Sequence, residues 1–314
     1  MNDLQAMQQF GEALDPAGQE PPARLRHRVL RSAAQPARRR RVPRLALAGG
    51  LAAVITAGVL AAQVVGIGGH KPAASAAASE ILHSAAEEAR HQPAIAVRPD
   101  QFVYVESIAT NASFGSPGSK PTHEKEHRTA WLSADGEHDG LVRSNDHSLP
   151  LPGCINGKEV QTKGGQSVST DCTPVPGYVA NLPTDSKAML DYLYDHRSGG
   201  NPRDQQAFTT AADLIREAYI SPASLAAVFD AVARIPGVDV VGDVTDEAGR
   251  HGVAVAITEV QGMRTELIFD KASHAFLGTR AVMVRDQDGM HKGDIFESSA
   301  VLKVAIVDRA GQTP

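Results

Sequence analysis

The sequence predicts an α+β fold: an antiparallel sheet packed on helices, preceded by one N-terminal transmembrane helix. Three observations carry that expectation. Residues 45–69, LALAGGLAAVITAGVLAAQVVGIGG, run for 25 positions without a charge. Beyond them come strand-like stretches, then helical ones, then strands again, an order that argues α+β rather than a doubly wound sheet. Short turns separate the later strands, which makes neighbours antiparallel.

The charge-free run is long enough to span. At ~1.5 Å per residue its helix would reach about 37 Å, against a hydrocarbon core of about 30 Å. Only Thr56 and Gln63 interrupt its apolar character, and Gly58, Ala62 and Gly66 recur at every fourth position, a small-residue spacing that suits helix–helix contact. Just before it stands RRRRVPR, with Arg38, Arg39, Arg40, Arg41 and Arg44. Residues 1–44 hold nine Arg against four carboxylates, a net of +5; the other 22 basic and 32 acidic residues all follow the run, a net of −10. Positive charge flanking a span stays in the cytoplasm. The expected arrangement is therefore a cytoplasmic tail at 1–44, a transmembrane helix at 45–69 and an acidic extracytoplasmic remainder, with the Arg cluster against anionic lipid. Direct nucleic-acid binding is set aside, because the basic segment lacks aromatic or groove-fitting elements. A cleaved signal peptide is the rival membrane reading. Its apolar region normally runs ~7–15 residues after a short basic start; here the run is longer and 44 residues precede it.

Within the tail, Leu4, Met7, Phe10 and Leu14 fall on one helical face that Pro16 ends. ARLRHRVLRSA forms a candidate second, basic helix. The functional reading is a docking helix for a cytoplasmic partner; the alternative is a short interfacial or disordered tail. The two cysteines, Cys154 and Cys172, both follow the span. An even pair in an exported domain reads as a disulfide, and without nearby His it makes a poor zinc site. Closing this loop contributes roughly 3 kcal/mol in the chain-entropy picture. The enclosed INGKEVQTKGGQSVSTD is polar, with little else to order it.

Residues 70–95, around KPAASAAASEILHSAAEEARHQPA, read as an Ala-rich stalk helix broken by Pro93, and 96–314 as the extracytoplasmic domain. QFVYVESI, HRTAWLSAD and GLVRSN are strands by their aromatic and β-branched content. SKAMLDYLYDHR is a helix capped by Thr184. Phe208, Ala212, Ile215 and Tyr219 share a second helical face. Ser221-Pro222 opens a third helix with Leu225, Val228, Phe229, Val232 and Ile235 on one side, stopped at Pro236-Gly237. GVAVAITEV, MRTELIFD, AFLGTRAVMV and AVLKVAIVD follow as strands.

The succession RPDQFVYVES, WLSADG, LPTDSKAMLDYLYD, LAAVFDAVARIPGVDVV, GVAVAITEVQGMRTELIFDKASHAFLG and VLKVAIVDRAG resembles an uncharacterised family of actinobacterial single-span membrane proteins often encoded beside sigma factors. The resemblance covers nearly the whole chain, including the MNDLQ start. The hairpin LIFDKASHAFLG is also similar to one in the LolA-like and RseB-like group. That likeness implies an antiparallel half-barrel wrapped around helices and able to hold an acyl chain. It brings no catalytic residues.

Two motifs bear on chemistry. His123, Glu124 and His127 fit H-E-x-x-H, in which two His one helical turn apart bind zinc and Glu activates water. Here Pro121 precedes the motif, charged residues fill it, and the nearest further ligand, Glu137, lies past an Asp135-Gly136 turn; a charged loop entering a strand is the plainer reading. Asp286, Asp288 and Glu297 fit positions 1, 3 and 12 of a calcium loop, but His291 stands where a tight turn wants Gly, so an Asp-Gly β-turn is preferred. No nucleophile elbow, phosphate loop or dinucleotide fingerprint appears, and no cofactor is expected. The expected function is that of a non-enzymatic, membrane-anchored sensor or binding protein, with a lipid or protein ligand outside and a sigma factor as candidate partner inside. The alternatives are a lipid- or acyl-chain-binding module without signalling and, third, a zinc-dependent hydrolase. The Cys/His pattern of zinc-containing anti-sigma domains is absent.

Overall fold

The structure is a computed structural model and describes residues 73–114, 120–163, 166–197, 200–216, 218–258, 262–287 and 289–314. The cytoplasmic tail with Leu4, Met7, Phe10 and Leu14, the Arg38–Arg44 cluster and the 45–69 span lie outside the described residues, as does Asp288. Among the described residues no helix is long and apolar enough to cross a membrane.

Strands β1 (Phe102–Ser113), β2 (Thr122–Ser133), β3 (Gly140–Ser144) and β4 (His147–Leu151) lead into a separate hairpin, β5 (Lys158–Lys163) and β6 (Gln166–Asp171). After three helices come β7 (Asp239–Thr245), β8 (His251–Thr258), β9 (Met263–Asp270), β10 (Phe276–Met283) and β11 (Ile295–Val307). Among the described residues the large sheet has nine strands in the order β4-β3-β2-β1-β11-β10-β9-β8-β7, every neighbouring pair antiparallel. β11 joins the two groups of strands, and the sheet stays open at β4 and β7. The expected α+β arrangement of a large antiparallel sheet with helices is what the chain adopts.

The helices are α1 (Ala76–His91), α2 (Ser186–Asp195), α3 (Arg203–Arg216) and α4 (Pro222–Val232). Of the expected stalk at 70–95, the described residues 73–95 do not stand off from the domain. Ala78, Leu82, Ala85, Ala86 and Ala89 form the buried face of α1 and join the main core with Met189, Phe208, Val228, Phe229, Leu267 and Phe269. The small Ala side chains bring α1 close to α4, where Asp230 receives His83 Nδ1 at 2.7 Å and also pairs with Arg90. The Ala-rich composition that suggested a stalk is therefore a packing surface.

Three boundaries move. The cap of α2 is Asp185, whose carboxylate accepts from the backbone N–H of Lys187 and Ala188 at 3.0 and 2.9 Å, not Thr184. Tyr219 lies past the end of α3 and bridges to Tyr178. The loop between the cysteines folds as β5–β6 after a tight turn at Asn156-Gly157, both at positive φ; Asn-Gly is the strongest short-range hairpin signal. The Cys154–Cys172 disulfide, Cα–Cα 5.9 Å, closes the base of this hairpin as expected.

The outer side of the sheet carries smaller clusters. Phe102, Tyr104, Trp131 and Val307 pack together, and the C-terminal residues fold back so that Trp131 Nε1 donates to the carbonyl of Gln312 at 2.6 Å. The buried Glu266 carboxylate lies between Arg264 and Arg280, with N···O separations of 2.7 and 2.6 Å. Unpaired, that charge would cost several kcal/mol; here each oxygen has its own guanidinium.

Candidate functional site

The structure does not gather the H-E-x-x-H residues His123, Glu124 and His127. The motif lies within β2, not in a loop, and a strand separates residues four apart by about 13 Å. Alternation also places His123 and His127 on the outer side, opposite Ala112 and Ile108, and Glu124 on the other side, opposite Asn111. His123 Nε2 lies 2.8 Å from the Ile295 carbonyl and His127 Nε2 3.0 Å from Glu106 Oε1. Among the described residues no three His, Cys, Asp or Glu side chains gather to hold a metal. Asp286 is a turn residue: the backbone N–H of Lys292 donates to it at 2.8 Å and holds its carboxyl below the usual range. Glu297 is in β11, opposite Ala281.

What the fold does build is a cleft where β11 leaves β10. β11 pairs with β1 from Glu297 to Val307, but with β10 only from Ile295 to Ala300. A bulge falls where Glu106 faces Lys303 and Ser107 faces Val301, leaving Leu302 as the extra residue, and such bulges bend a strand. At the parting, the carbonyls of Leu277 and Val301 accept from Arg250 Nη2 at 3.0 and 2.9 Å. The buried carboxylate of Asp246, 2.7 Å from Arg250 Nε, holds that guanidinium in place. Gly278 is the last β10 residue paired there; a Cβ would lie 1.9 Å from the Ser299 carbonyl oxygen, so no side chain fits.

The cleft has a volume of about 430 Å³, within the ~300–1,000 Å³ usual for small-molecule sites. Ala85 and Ala89 of α1 line one wall, Ile215, Leu225 and Phe229 another, and Phe276, Val301 and Val304 the sheet side. Phe229 meets Phe269 edge-on at 5.2 Å, and Phe269 meets Phe276 at 6.0 Å, which fixes the aromatic wall. Glu88 and Gln92, in the lining, hydrogen-bond to each other at 2.6 Å. The backbone N–H of Ile95 donates to Tyr219 Oη at 2.9 Å and pins the segment after α1. Ile95 and Val304 remain 42% and 40% exposed, so the apolar lining is open to solvent.

A polar basin adjoins the cleft. The helix side of β1 reads Val103, Val105, Ser107, Ala109, Asn111, and its β11 partners read Ile306, Val304, Val301, Ser299, Glu297. On β2 the same side runs Ala130, Arg128, Glu126. One face of three neighbouring strands thus changes from apolar to polar at the level of the bulge. The polar end, with Arg216 at the close of α3, encloses about 170 Å³ lined by Ser107, Asn111, Arg128, Arg216, Thr279 and Glu297. Arg216 is loosely paired: Nη1 lies 3.4 Å from Glu297 Oε1 and Nη2 3.6 Å from Asp213 Oδ1. Among the described residues its Nε is the buried side-chain polar atom without a hydrogen-bond partner, a condition that costs about 1–3 kcal/mol. Ile215 faces the cleft and Arg216 the basin.

The resolved pKa shifts support structure elsewhere. Burial, then the hydrogen bond to Asp204 at 3.0 Å, pushes Tyr194 up to about 12. Burial pushes Asp135 up, but hydrogen bonds from Glu137 N–H, Ser133 and His138 together outweigh it and hold the carboxyl below its ordinary range. The resemblance implied a fold able to hold an acyl chain, but sequence reasoning named no residue as lining the cleft and did not foresee the basin. The signal was present in ESSAVLKVAIV, where polar residues give way to apolar ones and adjacent Val301-Leu302 break the alternation.

No family profile matches the sequence, and no curated protein matches it. Among solved structures, the MucA/MucB complex of Pseudomonas aeruginosa is similar at 14% identity over 76% of this chain and 59% of that one, with a TM-score of 0.29. A structure of MucB alone gives 15% identity, 76% and 61% coverage and a TM-score of 0.26. A LolA superfamily protein from Nitrosomonas europaea gives 10% identity, 76% and 94% coverage and a TM-score of 0.21. This chain spans about three-fifths of the length of those MucB-containing matches. At such scores the likeness carries no argument about ligand or partner.

Proposed function

We propose that this chain is a membrane-anchored, non-enzymatic binding protein whose extracytoplasmic domain senses an apolar chain, such as a fatty acyl tail, by holding it in the cleft. The observation that carries the reading is the solvent-open apolar cleft of about 430 Å³ between α1, α4 and the parted strands. Each methylene buried there contributes about 0.8 kcal/mol, so eight would supply roughly 6 kcal/mol before ordering costs. The charge-free run at 45–69 and the Arg38–Arg44 cluster support a single span with the N-terminus in the cytoplasm.

Lipid extraction and mass spectrometry of the full chain purified in nanodiscs tests the binding step. The wild type should retain single-chain lipid in stoichiometric amount and Leu225→Asp should not; equal retention by both would refute the cleft reading. A phosphatase fused after Pro314 should be active and a cytoplasm-only reporter before Met1 fluorescent; the reverse pattern refutes the topology. Onward signalling is the last step of the reading. Leu4, Met7, Phe10 and Leu14 supply an apolar face for a sigma factor. Crosslinking in intact cells should capture a sigma factor with the wild-type tail and not after Leu4, Phe10 and Leu14 are changed to Asp. No capture by the wild type leaves a binding module without signalling.

A further inference from the structure

We infer that the cleft and the polar basin together take one elongated amphiphile with an anionic head, a carboxylate or phosphate monoester, seated at Arg216. The inference rests on the cleft reading above and adds the head-group chemistry and the orientation of the ligand. Apolar and polar ends occur in sequence on the same side of β1 and β11, and the change falls between Ser107 and Val105 on one strand and between Ser299 and Val301 on the other. From Val304 to Glu297 the bed is about 20 Å long at ~3.3 Å per residue. An apolar ligand without a head would leave half of that bed uncovered.

The head-group end is argued from Arg216. Arg216 lines the basin, and its Nε is the buried polar side-chain atom that lacks a partner among the described residues. Its contacts to Glu297 and Asp213, at 3.4 and 3.6 Å, are longer than a tight charge-assisted pair, which sits near ~2.7–2.9 Å. A loosely held arginine fork matches the two oxygens of a carboxylate or phosphate bidentately once its side chain turns towards them. Ser107, Ser299 and Thr279 add hydroxyl groups around the same volume. Glu126 and Glu297 also line it and would repel the anion, so the head sits against the guanidinium rather than deep among the carboxylates. Ile215 and Arg216 are consecutive, so the end of α3 holds tail wall and head anchor in fixed relation.

The test uses the full chain in nanodiscs and three probes with a photoreactive diazirine at the tail end: hexadecanoic acid, hexadecyl phosphate and hexadecanol. Crosslinked peptides are mapped by mass spectrometry. The acid or the phosphate should label peptides containing Ala85–Ala89 or Val301–Val304 about tenfold more efficiently than the alcohol, a preference equivalent to about 1.4 kcal/mol. Whether acid, phosphate or both show the preference distinguishes the two sources of the shared anionic chemistry. Arg216→Gln should reduce the anionic probes to the alcohol's level while alcohol labelling stays unchanged, which shows that the cleft is intact. Arg216→Lys, which keeps the charge but not the fork, should recover only part of the preference. Equal labelling by all three probes in the wild type overturns the head-group assignment and leaves the cleft standing. Absence of cleft labelling by every probe overturns the cleft reading and this inference with it.

Discussion

The two groups of strands use their helix-facing sides differently. On β8 and β9 the side chains of Val255, Ile257, Leu267 and Phe269 are buried in the core formed with α1, α3 and α4. On β1 and β11 the equivalent side is shared between the cleft and the basin, and Val304 stays 40% exposed. The difference teaches where stability and recognition reside. The β8–β9 group is covered by the chain's own helices. The β1–β11 group buries Val103 and Val105 but leaves Val304 open to solvent, and its other supports lie on the outer side, around Trp131 and the folded-back C-terminus.

The largest effect that separates the two regions should come from Phe229→Ala. Phe229 is 1% exposed and touches Phe269 and Phe276, so denaturant unfolding of the purified full chain should show a loss of about 3–5 kcal/mol. A loss below about 1 kcal/mol would mean that the β8–β9 core is less consolidated than its burial implies. The next effect lies outside the sheet. Replacing Cys154 and Cys172 by Ser should cost about 3 kcal/mol through the freed loop, with hydrogen exchange rising first in β5–β6. Unchanged exchange there would show that the pairing of β5 with β6 orders the hairpin without the disulfide.

On the exposed region, Val304→Asp should change stability by no more than about 0.5 kcal/mol, as surface substitutions do, yet abolish retention of single-chain lipid. Loss of stability as large as that of Phe229→Ala would erase the distinction between the two regions. The smallest effect concerns the β9–β10 turn. Backbone N–H groups of Ser273 and Ala272 hold the Asp270 carboxyl below its ordinary 3.8. A depressed carboxylate contributes stability that is present above the unfolded value and lost as pH falls through the folded one. The melting-temperature difference between wild type and Asp270→Asn should therefore be greatest near neutrality, begin to shrink as pH drops below about 4 and vanish only below the folded value. A constant difference across that range would assign the effect to the lost turn geometry rather than to charge.

Much of the fold was legible in the sequence because its signals are local. Alternation in MRTELIFD and AFLGTRAVMV, Ser221-Pro222 at the start of α4 and the two cysteines each specify their structure within a few residues. The edge strands β4 and β7 carried weaker patterns. β4 includes Pro150 and is mostly exposed, and β7 bends at a register shift between Val240 and Gly242. The Asn156-Gly157 turn was a local signal that the polar composition around it obscured. The candidate site was scarcely legible: Ala85, Ile215, Phe276 and Val301 come from four elements, and nothing near any one of them in the chain marks the others.

By itself the sequence determined the charge asymmetry around a 25-residue apolar run, the α+β order of elements and the cysteine pair. These depend on composition and on periodicities of 2 and 3.6 residues, which neighbours in the chain fix. Only the tertiary structure decided that the Ala-rich helix belongs to the core, because an Ala face is a stalk or a close-packing surface according to what lies against it. Only it decided that His123 and His127 point away from Glu124, because a strand's alternation separates what a helical turn would gather. Only it placed an apolar cleft, where β11 parts from β10, beside a polar basin, where the two strands are still paired, because both depend on a long-range choice of partner rather than a local one.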